Sequence, residues 1–115
     1  EAVKTTFSKM YPEAKKVKWG KENDKEFEAE FMLNNNAVSA NFDLNGKWLE
    51  TETKIDIDDL PASIKTAVGN KFPGGKITHA EKVEEPGNKE NYEVTVKANG
   101  KKRSLEFDSD GNLVD

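Results

Sequence analysis

Apolar residues fall at every second position in two stretches of this chain. Phe27, Ala29, Phe31 and Leu33 alternate with Glu28, Glu30 and Met32; Tyr92, Val94, Val96 and Ala98 alternate with Glu93, Thr95 and Lys97. Successive side chains of a strand point to opposite sides, so each stretch predicts a strand with one apolar and one mostly charged face. Helical spacing occurs twice. Val3, Phe7 and Met10 or Tyr11 precede Pro12, and Ile64, Val68 and Phe72 precede Pro73-Gly74-Gly75. A proline ends each run, because the residue before it avoids the α region. Asp58 or Asp59 is expected to accept amide hydrogens at the start of the second helix, with Pro61 in its first turn. Asn34-Asn35-Asn36 and Asn99-Gly100 predict tight turns, since Asn and Gly tolerate positive φ.

These elements recur. VKTTFSKMYP from Val3 matches IKTAVGNKFP from Ile64 at an offset of 61 residues, whereas FEAEF from Phe27 matches YEVTV from Tyr92 at an offset of 65. The offset changes within GKENDKE and EEPGNKEN, where loops accept extra residues. FDLNG at Phe42 and FDSDG at Phe107 keep the offset of 65. The pattern predicts an α+β fold of two tandem helix-plus-four-strand repeats, about 1–57 and 58–115, in one domain. Their antiparallel sheet is expected to carry the helices on one face and leave the other open.

The repeated Asp turns bear on both fold and chemistry. Asp at the start of a type I turn and Gly in the left-handed region make a hairpin with a bulge, which pairs Phe42 with Trp48 and Phe107 with Leu113. Strict alternation after Trp48 would bury Glu50 and Glu52 while exposing Leu49, so a second irregularity or a strong twist is expected near Trp48 to Glu50. The competing reading is calcium. Asp108, Asp110 and Asn112 resemble the opening of a calcium loop but lack the closing bidentate Glu, so they stand as a weak alternative site.

Composition narrows the function. The 115 residues carry 18 Lys and Arg against 22 Asp and Glu, a net charge of -4, which argues against a nucleic-acid partner. With no Cys, thiolate chemistry and the usual zinc cages are excluded. The single His79 leaves one base for any triad; its alignment with Trp19 predicts a partly buried packing position instead. No apolar run reaches the length of a membrane span. The first residue, Glu1, is not Met, which fits a processed or trimmed chain and leaves export open. Neither a cofactor nor enzymatic activity is expected.

Phe7, Tyr11-Pro12, Ala14, Val17, Trp19, Phe27, Phe31, Phe42-Asp43, Gly46, Trp48, Leu60-Pro61, Phe72-Pro73, Tyr92, Phe107-Asp108 and Gly111 stand in an order and spacing that resembles the PepSY-like family. Members of that family are described as β-lactamase-inhibitor-like proteins of bacteria. The resemblance implies a BLIP-like layout, a periplasmic or secreted location, a binding or inhibitory role, and no catalytic residues. The resulting expectation is a non-catalytic module that presents its open sheet face to a protein or peptide of the cell envelope. The candidate surface is Glu28, Glu30, Met32, Trp48, Glu93, Thr95 and Lys97. A small-ligand or weak calcium-binding periplasmic protein is the alternative.

Overall fold

The computed structural model describes residues 2–114. Two α-helices and seven strands of an open antiparallel sheet make up the fold, and the chain divides into two compact units. One runs to Thr53 and takes in Glu84–Asn88; the other is Lys54–Val83 with the chain from Lys89 onward.

In the first unit, α1 (Ala2–Met10) is followed by β1 (Lys15–Asn23), β2 (Glu26–Leu33), β3 (Asn36–Asp43) and β4 (Trp48–Ile55). Each strand pairs antiparallel with the next. Helical spacing puts Val3 and Phe7 on one stripe, and strand alternation puts Ala29, Phe31, Val38, Ala40 and Phe42 on the face beneath it. Phe7 is the hub: its ring centre lies 5.0 Å from that of Phe31, 5.2 Å from that of Trp19 and 5.7 Å from that of Tyr11. Tilted and edge-on pairs of this kind contribute about 0.5 to 1.5 kcal/mol each beyond their buried area. Of the two residues offered for the helix stripe, Tyr11 packs against the core and Met10 is exposed.

In the second unit, a short 3-10 turn (Ile57–Asp59) leads into α2 (Ala62–Lys71), then β5 (Lys76–Glu85), β6 (Lys89–Ala98) and β7 (Lys101–Asp108). Its core is more aliphatic: Leu60, Ile64, Val68, Ala80, Val94 and Val96 with Phe107. Three expectations need correction here. Among the described residues the unit has three strands and an isolated Phe107–Leu113 bridge, where four strands were expected. Asp58 and Asp59 lie in the 3-10 turn and do not cap α2. Pro61 is the N-cap, and its carbonyl accepts from Ile64 and Lys65. His79 is exposed, its Nδ1 3.1 Å from the Thr78 hydroxyl, and the neighbour that faces the core is Ala80. Ala80 lies 61 residues after Trp19, the offset of the helices; a shift of one residue exchanges the faces of a strand.

The turns form as their sequences dictate. Asn34 and Asn35 both have positive φ, as do Asn99 and Gly100, which gives each hairpin the twist its strands require. In the Asp turns, Gly46 and Gly111 adopt φ of 90° and 88°. Both glycines are also pressed against a helix start. A Cβ on Gly46 would lie 2.8 Å from the carbonyl oxygen of Ala2, and one on Gly111 would lie 2.7 Å from that of Ser63. The Ser63 hydroxyl adds a hydrogen bond of 2.8 Å to the carbonyl of Ser109.

Candidate functional site

The expected irregularity in β4 is a bulge at Leu49. Phe42 pairs with Trp48 while Asn41 pairs with Glu50, so Leu49 has no partner of its own. That one extra residue returns Glu50 and Glu52 to the face opposite the helix and brings Thr51 under it, where Thr51 is 2 % exposed. Buried hydroxyls need partners, and this one has two. The Trp48 indole Nε1–H donates to Thr51 Oγ1 at 2.7 Å, and the Tyr11 hydroxyl lies 2.6 Å from the same oxygen. Burial, with the negative charge of Glu84 adding to it, raises the Tyr11 pKa; the Thr51 hydrogen bond opposes the shift.

On the far face of the first unit the pairing assembles two rows. Gly20, Glu28, Asn41 and Glu50 form one, and Lys18, Glu30, Ser39 and Glu52 the other. Glu28 and Glu30 therefore belong to a wider band of carboxylates with short polar side chains between them. Met32 continues the same face of β2, opposite Lys15 and Ala37. Burial and the like charges of Glu22 and Glu30 hold the Glu28 carboxyl above its ordinary range. Glu50 and Glu52 escaped the sequence reading because their orientation depends on the bulge. Trp48 does not join this band: it packs against the core on the helix side.

In the second unit, Glu93, Thr95 and Lys97 share one face of β6, opposite Glu106, Ser104 and Lys102 of β7. Two of these three pairs set like charges directly across from one another, an arrangement that costs stability. Asn91 Nδ2 donates to Glu106 Oε2 at 2.9 Å, which satisfies part of that carboxylate.

The Asp turns use their carboxylates to hold the backbone. Asp43 Oδ1 accepts from the amides of Asn45 and Lys47, and Asp108 Oδ1 accepts from those of Asp110 and Asn112. Asn112 Nδ2 also donates to Asp108 Oδ2 at 3.3 Å. These donors, the Asn112 amide foremost, lower the Asp108 pKa. Asp108 and Asn112 are thus joined as parts of one turn.

A family model described as "Putative beta-lactamase-inhibitor-like, PepSY-like" matches residues 25–115. No curated protein matches. Among solved structures, the chain is similar to a BLIP-like protein from Bacteroides fragilis, with 28% identity and a TM-score of 0.84 over 99% of this chain and 82% of that one. A DUF2874 family protein from Bacteroides ovatus has 26% identity and a TM-score of 0.85, over 99% of this chain and 83% of the other. A protein from Bacteroides eggerthii described as periplasmic has a TM-score of 0.89 at 21% identity, over 100% and 85% of the two chains, a likeness of fold.

Proposed function

Because this chain belongs to the PepSY-like, beta-lactamase-inhibitor-like family, we propose that it is a non-catalytic binding module of the cell envelope. In this reading its open sheet face receives a protein or peptide partner. The observation that carries the proposal is the carboxylate band on the first unit, Glu28, Glu30, Glu50 and Glu52 interleaved with Ser39 and Asn41. Four carboxylates against the single Lys18 give the band an acidic balance, which attracts a partner that brings Lys or Arg to it. In the second unit Glu93, Thr95 and Lys97 extend the proposed surface, with Glu93 facing Glu106 and Lys97 facing Lys102 across the ladder. Solved structures of similar fold include one described as periplasmic, which supports an envelope location.

The two units are read here as copies of one helix-and-sheet ancestor within a single domain. Two identical docking contacts support this: Gly46 against Ala2 in one unit, Gly111 against Ser63 in the other. Their separations repeat the sequence offsets of 65 and 61.

The test is affinity capture from a cell-envelope extract with the wild-type chain and with Glu28→Lys/Glu30→Lys. The wild type is expected to retain a partner rich in basic segments, released by raised salt, and the double variant to lose it. Equal capture by both chains sinks the assignment of this face.

A further inference from the structure

In the second unit α2 stops at Lys71, short of the β6–β7 hairpin, and leaves a hollow of about 290 Å³ beyond its end. Phe72, Val96, Ala98, Asn99, Lys101 and Arg103 line it. Arg103 pairs with Val96 and Lys101 with Ala98, so both cations lie on the same sheet face as the buried Val96. Phe72 and Ala98, both half-buried, supply an apolar floor over the buried Val96, and the cations form a lip beside it. Neither Lys101 nor Arg103 has an ion-pair partner among the described residues. At the end of the helix the Val68 carbonyl accepts from the amide of Phe72, and the Phe72 carbonyl from that of Gly75.

We propose that this hollow binds a small carboxylate with an apolar body. The body lies against Ala98 and Phe72, and the carboxylate meets the Arg103 guanidinium, whose planar fork matches two oxygens, with Lys101 beside it. Given that one water accounts for about 30 Å³ of liquid, the open hollow has room for at most about ten heavy atoms, which a medium-chain fatty acid does not exceed. A cationic head in the same place would be repelled by both residues.

The first unit offers an internal contrast. At the repeat offset of 65 residues Lys101 and Arg103 correspond to Asn36 and Val38, so the cationic lip has no counterpart at the matching place. The anion site lies on the sheet face that holds the buried Val96, separate from the face assigned to a macromolecular partner.

The experiment is an NMR titration of backbone amides in the full chain, with sodium octanoate kept below its micelle concentration. Octylammonium serves as the matched cation and acetate as the head without a body. Octanoate is expected to shift amides between Val96 and Arg103 saturably. Octylammonium and acetate should each bind at least tenfold more weakly. Lys101→Gln/Arg103→Gln, at exposed positions, should weaken octanoate at least fivefold without moving the thermal midpoint, and Ala98→Leu should fill the space and compete with the ligand. The proposal is overturned if octylammonium binds as well as octanoate, if the double variant binds unchanged, or if the shifts spread without saturating.

Discussion

Thr51 is where a single residue decides the most in the first unit. Its hydroxyl is the common partner of Tyr11 and Trp48, and it is 2 % exposed. Thr51→Val keeps the shape and deletes the oxygen, which leaves a phenol and an indole N–H without partners. The expected loss is about 1 to 3 kcal/mol, read by denaturant unfolding, with Thr51→Ser recovering most of it. Glu28 gives a second prediction, with a sign that follows from its raised pKa. The folded chain holds this proton more tightly than the unfolded one. The resulting stabilisation is present below the ordinary carboxylate pKa and is lost as pH rises through the folded value. Glu28→Gln is therefore expected to raise the thermal midpoint at neutral pH, and less so in high salt, which screens Glu22 and Glu30. At pH 3 it should make no difference. A midpoint that falls at neutral pH would show that Glu28 is held by attraction.

Glycines mark the sensitive points of the elements. Gly46→Ala and Gly111→Ala each place a methyl within 3 Å of a helix-start carbonyl, at a φ that L residues rarely adopt. Each is expected to cost at least about 1 to 3 kcal/mol in the same measurement. Gly69 is the control: it lies within α2, a Cβ there meets nothing within 4 Å, and Gly69→Ala should stabilise by about 0.5 to 1 kcal/mol. These positions also show how far the sequence can be read. The Asp turns and the strands around Phe31 and Val94 were legible because turn chemistry and alternation are local properties. The position of the bulge was not, since it depends on which residue of β3 each residue of β4 meets. The same holds for Thr51, whose side chain reads as polar surface until Leu49 drops out of phase. His79 failed for a related reason: in a strand more than half of whose residues are charged or small, a one-residue error in alignment exchanges the faces. Of the candidate surface, Glu28, Glu30 and Met32 were readable on one strand, whereas their neighbours Glu50 and Glu52 came only with the pairing.

At the scale of the whole molecule the issue is association. Every residue of β1 is exposed, and among the described residues the strand pairs only with β2. An edge of this kind recruits other chains unless something deters them. Lys15, Lys16, Lys18 and Lys21 repel a second copy of the same strand, and register breaks between Lys15 and Lys18 and between Lys21 and Asn23 shorten the run that could pair. Lys18→Val/Lys21→Val should accordingly produce concentration-dependent oligomers in analytical ultracentrifugation, where the wild type sediments as a smaller species. An unchanged sedimentation profile would assign the protection to the breaks alone.

The extra residue at Leu49 sets a last consequence, one that concerns length and not chemistry. Swapping Leu49 for another side chain alters little beyond local packing, because the residue acts as a spacer. Excising it would rotate everything downstream by half a turn of the pleat, driving two glutamates into an oily interior and a threonine out to water. Chains descended from this one are therefore free to vary the letter at that place but not to skip it.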